Sequence, residues 1–340
     1  MSISKRCFGS FGGKEVFAYT MTNKEGSSVT VLDYGGIIQS VRVPDRNGIF
    51  GDVVCGFDTV DDYVTERRAY FGALIGRNGN RISGGGFNIG DLRVNVANNE
   101  GPMTHLHGGN VGFNRKIWDA DAHENEKEDE IVLTLFSPDM DEGYPGNLSV
   151  KVTYSFSDDR TLGIHYEARS DADTYLNLTN HAYYNLNGYD GNSVMGQELM
   201  INADYYDDVD GFLIPEKEPK KVAGTEFDFR VMRPIGRTYD HNFHLNGPSG
   251  GYRLACSAYD PESGRTMDVF TDLPSVQLYT AGGMNGKTAF KDSVPERPRH
   301  AFCLETQNPP DLPNRPNLTQ RFLLKGEKYD TVTAMKFGTR

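Results

Sequence analysis

Hydrophobic and polar positions alternate with a period of two along most of the chain. In "SVKVTYSF", Val150, Val152, Tyr154 and Phe156 fall on one face and Ser149, Lys151, Thr153 and Ser155 on the other. This is the signature of a half-buried β-strand. "TLGIHYEA" repeats it with Leu162, Ile164 and Tyr166. Turn signals such as "DRNG", "DEGYPGN", "SDDR", "NGYDGN", "NGPSGG" and "DPESG" separate these segments. Long segments with a 3.6-residue period are hard to find. The pattern predicts an all-β chain of large packed antiparallel sheets. No Pro/Ser-rich linker divides the chain and no repeat of about 20 to 50 residues stands out, so a single domain over 1–340 is expected.

One segment alternates in an unusual way. Around "TNHAYYNLNG", Tyr175, Asn177, Thr179, His181, Tyr183 and Asn185 share one face of a strand. Leu176, Leu178, Ala182, Tyr184 and Leu186 share the other, with Asn180 their only amide. A solvent face would favour Lys, Glu and Thr, and a core face would be aliphatic. A row of Asn, Thr, His and Tyr reads instead as a wall of hydrogen-bonding groups turned toward a polar ligand.

Composition narrows the ligand. The net charge of -12 argues against binding a nucleic-acid backbone, which needs clustered Lys and Arg. The acidic stretch "ENEKEDE" precedes "IVLTLF" and reads as a solvated hairpin loop. No segment has the length of a membrane span, and the N-terminus lacks an apolar signal region. Cys7, Cys55, Cys256 and Cys303 show no CxxC spacing, which suggests free thiols in a reducing compartment. A cytoplasmic protein, monomeric or homodimeric, without nucleic-acid or membrane partners, is expected.

Four further segments carry candidate chemistry. "GRNGNRISGG" sets Asn80 and Arg81 among glycines; it reads equally as a surface turn, and no Gly-Lys-Ser/Thr follows to make it a phosphate loop. "HLHGGN" places His105 and His107 on one face of a strand. Such a pair can be half of a metal site, but the next acid is Asp119, so no metal is expected. "DHNFHLN" puts Asp240 and Asn242 on one face. In "AFCLETQNPPD", Glu305 shares a face with Ala301 and Cys303 in a strand that is otherwise apolar. A carboxylate there is costly to desolvate, so its pKa should move toward that of a general base near neutrality. The other reading of Glu305 is a buried ion pair with an Arg. "PSVQLYT" adds Gln277. No GxSxG elbow is present. The set suits proton transfer on an uncharged, polyhydroxylated ligand.

The sequence resembles the aldose 1-epimerases, the galactose mutarotases. The resemblance is carried in order by "GRNGNRI", "LHGGNVGFNRKIW", "DEGYPGNL", "TNHAYYNLNG", "FLIPEKEPKKVAGTEFDFR", "DHNFHLN", "SVQLYT" and "CLETQNPPDLPNRPNL". It implies a large antiparallel β-sandwich, the galactose mutarotase-like supersandwich, with a sugar cleft. It also implies interconversion of the α and β anomers of a free aldose such as glucose or galactose, without cofactor or metal. By this likeness Glu305 is the base at the anomeric hydroxyl and His181 the acid at the ring oxygen. His107 holds the sugar close to the ring oxygen, and Asn80, Arg81, Asp240 and Gln277 bind hydroxyls. A nearby carboxylate is expected to raise the pKa of His181. The likeness gives His105 no role, and a structural or rim position is expected for it.

The sequence departs from the family's usual wording at Asn78 and Gly79, in "LIPEKE", at Asn308 and in "YTAGGM". These departures bear on sugar preference. Three alternatives stand beside the epimerase reading. One is a carbohydrate-active hydrolase or lyase using Glu305 and Asp240 as a carboxylate pair. Another is a non-catalytic sugar-binding protein on the same fold, and the third is a metal-dependent isomerase, which a chelator that abolished activity would favour.

Overall fold

The alternating segments pair as their pattern demands. The computed structural model describes residues 2–66, 70–248, 250–284, 286, 288–319 and 321–340. About 47% of the chain is strand and 6% helix. The strands Glu128–Ser137, Leu148–Ser157 and Thr161–Ser170 form an antiparallel meander toward one edge of a nine-stranded sheet. The C-terminal strand Lys328–Thr339 inserts between Thr161–Ser170 and Arg265–Thr271, so the two halves of the chain close into one sheet. "ENEKEDE" spans the hairpin between Asp119–His123 and Glu128–Ser137, as expected, although Asp129 turns inward and is buried.

Val150, Val152, Tyr154, Phe156, Leu162, Ile164 and Tyr166 all lie in one apolar core. On the same face, Val29, Val31, Val41 and Val43 of a five-stranded N-terminal sheet join them. A second five-stranded sheet runs in the order Lys220–Lys221, Ala203–Tyr206, Asp240–Leu245, Ser275–Tyr279, Cys303–Gln307. Its residues Phe243, Val276, Leu278 and Leu304 complete the core. The large sheet is thus covered on its inner face by two smaller ones, an antiparallel sandwich as expected. Leu162 is fully buried there. Leu162→Ala is expected to cost about 2–5 kcal/mol, seen as a lower urea midpoint with an unchanged m-value.

"TNHAYYNLNG" is not one continuous strand. It forms two short pairings, Thr179–Asn180 with Leu74–Ile75 and Tyr183–Tyr184 with Val54–Cys55. The reason is its asparagines, whose amides compete with a ladder for backbone partners. Asn177 donates to the carbonyls of Gly79 and Asn308 and accepts from the Asn308 N–H. Asn185 donates to the carbonyls of Asn192 and His300. These two amides staple loops together rather than face a ligand. "GRNGNRI" is not a surface turn either, since Arg77, Asn78, Asn80 and Arg81 are all buried.

Candidate active site

The cleft is built on the outer face of the sheet whose inner face closes the core. Asn242, Gln277 and Glu305 are direct partners across three adjacent strands, so their side chains share one face. Phe302 and Leu304, at odds with Glu305 in the alternation, turn inward. Glu305 sits at the floor of the cleft and is 2% exposed.

His181 falls in the gap between the two short pairings. Its backbone N–H donates to the Ala73 carbonyl at 2.9 Å, and its carbonyl accepts from the Gly72 N–H at 3.0 Å. The Asn180 amide tightens the same corner, donating to the Gly72 carbonyl and accepting from the Ala182 N–H. This aims the imidazole at Glu305, with Nε2 3.6 Å from Oε1. Tyr183 stacks on the ring with centroids 5.0 Å apart, and His107 meets it edge-on at 5.2 Å.

His107 follows the strand Thr104–Leu106 with φ at +49°. That bend separates it from His105, so the two histidines do not form a pair. His105 is buried between the Ala97 carbonyl and the Tyr144 hydroxyl, at 2.7 and 2.8 Å, in a structural role. His107 enters the cleft, and its Nδ1 accepts from the backbone N–H of Asn80 at 3.1 Å. A backbone N–H can only donate, so Nδ1 carries no proton and neutral His107 bears its hydrogen on Nε2. Burial and the neighbouring His181 hold its pKa well below the ordinary value. His107 is therefore a fixed neutral donor, unsuited to carrying a second proton.

A chain of polar contacts closes one side. Arg81 grips Glu100 through Nε at 2.7 Å and Nη2 at 2.9 Å, and its Nη1 lies 3.8 Å from Asp240. Asp240 accepts from the Gln277 amide at 2.6 Å. Asn80 lines the cleft while its Oδ1 accepts from the Arg81 N–H. The cavity measures about 590 Å³, with Tyr70, Tyr183 and Tyr279 as aromatic surface and Leu213 and Met284 also in its lining. Among the described residues, the lining carries the acids Glu66, Glu100, Asp240, Glu296 and Glu305 and the arginine Arg81.

Desolvation sets the protonation of the pair. Burial, followed by the Asp240 charge, raises the Glu305 pKa well above the carboxylate range. Burial pushes His181 down to about 4. The expectation that a carboxylate would raise His181 is therefore corrected: removal from water lowers it, and the Arg81 charge acts in the same direction. Both shifts favour the neutral pair, with the proton on the carboxyl and none added to the imidazole. That neutral pair holds as many protons as a carboxylate–imidazolium pair, so the two forms interconvert without exchange with solvent. Among the described residues the buried ion pair with Arg is not formed: Arg81 is committed to Glu100 and Asp240, while Glu305 Oε2 has no hydrogen-bond partner.

His107, His181 and Glu305 each bring a potential ligand atom within 4.8 Å of the others. The tautomer argues against a metal there. Nδ1 of His107 is taken by the Asn80 N–H, and baring Nε2 would move a proton to Nδ1, against that same N–H. A second cluster, His165, Glu167 and Asp330, lies outside this cleft, and Lys151 and Lys328 already pair with its carboxylates.

The seven residues singled out in the sequence thus converge, six lining the cavity and Gln277 reaching it through Asp240. Asn242 does not: its amide donates to the buried Asp207, beside His244 and Arg315. Glu100, Tyr70, Tyr279 and Glu296 were missed. Glu100 lies in a turn, where a lone acid gives no signal until the fold brings Arg81 beside it.

Comparison with known proteins agrees with this geometry. The family model for aldose 1-epimerase matches residues 18–336. Human (Homo sapiens) galactose mutarotase is 36% identical over 346 residues, covering 99% of this chain and 98% of that protein. Aldose 1-epimerase from Escherichia coli K12 is 32% identical over 332 residues, 94% of each. The crystal structure of galactose 1-epimerase from Lactobacillus acidophilus superposes with a TM-score of 0.87 at 27% identity, covering 99% of both chains. The chain belongs to the aldose 1-epimerase family. Its reaction is an isomerisation, the interconversion of the α and β anomers of an aldose, and the hydrolase and binding-protein alternatives are not favoured.

Proposed function

We propose that Glu305 and His181 carry out the anomer exchange on a free, uncharged hexose such as glucose or galactose. The observation that carries this reading is the 3.6 Å approach of Nε2 to Oε1 on the floor of a polar cleft. O1 and O5 of a pyranose are bonded to the same carbon, so two groups this close can serve both oxygens at once. Hydrogen bonds from the sugar favour the carboxylate–imidazolium form of the pair. Glu305 then takes the O1 proton as His181 protonates O5, and the C1–O5 bond breaks. The ring-opened stage leaves a carboxylic acid beside a neutral imidazole, which is the form that burial favours. Rotation about the C1–C2 bond and closure on the other face reverse both transfers.

His107 donates from Nε2 near the ring oxygen, and Asn80, Arg81, Asp240 and Gln277 bind hydroxyls. A single domain over 1–340 is part of this proposal, supported by a core with members from Tyr19 to Phe337. A reducing, cytoplasmic setting accords with four free cysteines, three of them buried. Among the described residues no helix is long and apolar enough to cross a membrane.

Polarimetry tests the reading. Freshly dissolved α-glucose and α-galactose should reach their equilibrium rotation faster with the protein. Asp240→Asn should raise KM more than it lowers kcat, because it weakens hydroxyl binding rather than proton transfer. Unchanged rates for both sugars would refute the proposal.

A further inference from the structure

The turn "YFGA", Tyr70 to Ala73, reaches His181 in more ways than through its backbone. The Tyr70 carbonyl accepts the Ala73 N–H at 3.0 Å, and Gly72 and Ala73 are the two residues that bond the His181 backbone. Tyr70 itself has left-handed backbone, with φ at +55°. A bulky residue is uncommon there and persists where its surroundings fix it. Here aromatic contacts do so. The Tyr70 ring meets His107 edge-on, with centroids 4.6 Å apart, and lies within 24° of the His181 plane at 6.0 Å. The next residue, Phe71, is buried against Phe57 and Phe290 and packs on Tyr183, which stacks on His181 in turn.

The imidazole depends on this packing. Nδ1 of His181 is buried and has no hydrogen-bond partner among the described residues. A hydrogen bond at the far nitrogen commonly orients a histidine. Without one, neighbouring rings set the angle at which Nε2 meets Glu305. The Tyr70 hydroxyl makes no hydrogen bond among the described residues, so its hold on the two histidines comes from the ring. Tyr70 also lines a second hollow of about 470 Å³ beside the cleft. A smaller side chain at this position would let water from that hollow reach the imidazole.

We propose that Tyr70 is a positioning residue for anomer exchange, its ring fixing the imidazoles of His181 and His107 and shielding His181 from water. The inference rests on the reading of Glu305 and His181 as the exchanging pair. The groups that face His181 are Glu305, His107, Tyr70, Tyr183 and Tyr279, with the Arg81 charge nearby. Burial is the largest cause of its low pKa, so admitting water should raise it from about 4 toward 6.5.

The test is polarimetry on α-glucose across a range of pH with wild type, Tyr70→Leu, Tyr70→Gly and Tyr70→Phe. Glycine adopts left-handed backbone freely, so Tyr70→Gly removes the ring without straining the turn. Loss of the ring should lower kcat about 10- to 100-fold in the Leu and Gly variants, the scale of misplacing a reacting group by about 1 Å. In both, the acid limb of kcat/KM should move up from about pH 4 toward 6.5. Tyr70→Phe, which gives back the ring without the hydroxyl, should recover kcat to within about threefold of wild type. Its acid limb should stay near pH 4. A loosened fold would lower the melting temperature without moving the limb. Tyr70→Phe as slow as Tyr70→Leu would overturn the proposal, because the hydroxyl would then carry the effect. Leu and Gly variants with wild-type kcat, or with an unmoved limb, would overturn it too. No acceleration by wild type would overturn the anomer-exchange reading, and this inference with it.

Discussion

Glu305→Gln is expected to slow anomer exchange by about 10²- to 10⁴-fold, the range for removing one positioned proton transfer. Gln keeps the shape of the side chain and cannot take the O1 proton. The same variant should be more stable than wild type in neutral and alkaline solution. The Glu305 pKa is raised by burial and then by Asp240. The folded state therefore holds its proton where the unfolded chain has released it, so stability present below the unfolded value of about 4.5 is lost as pH rises through the folded value. Gln carries no such dependence. Thermal melts of the two proteins at a series of pH values should diverge progressively above pH 4.5, with the variant melting higher. A loss of activity together with a lower melting temperature at every pH would mean that the substitution damages the fold.

His181→Asn is expected to lower the rate by a comparable factor, about 10²- to 10⁴-fold, and to change the pH profile. Turnover needs one proton on the pair. Acidification ends it by adding a second proton, which His181 takes up only near pH 4 because burial opposes its charge. Wild-type kcat/KM should therefore hold through mildly acidic solution and fall as pH approaches 4. The residual activity of His181→Asn should lack that limb. Stability follows the same group. With a folded pKa below the unfolded value of 6.5, its contribution is present above 6.5 and is lost as pH falls to about 4. The variant should lose less stability than wild type across that interval.

The sheets were legible because their alternation is regular. Val150 to Phe156 and Leu162 to Tyr166 point inward as the period of two requires. Glu305 was legible for the same reason, as a charge in an apolar strand. Where reading along a strand misled, side chains had taken over work that a ladder normally does. Asn177 and Asn185 alternate in phase with His181 yet spend their amides on loop carbonyls. His105 and His107 alternate in phase too, until the left-handed backbone at His107 turns them apart. The protonation of the pair was beyond the sequence because it depends on how completely two side chains, 124 positions apart in the chain, are removed from water. Glu100 was hidden likewise, since its meaning comes from Arg81 across a turn. Two departures from the family's wording have local explanations. Asn78 donates to the Asn80 carbonyl, and a side chain at Gly79 would meet the Thr179 methyl at 2.9 Å.

The most direct measurement is a crystal structure of Glu305→Gln with galactose bound. The account predicts the anomeric carbon at the floor of the cleft, O1 about 3 Å from the residue 305 side chain and O5 about 3 Å from Nε2 of His181. An anomeric carbon directed away from the cleft floor, with both of its oxygens beyond reach of these two groups, would contradict it.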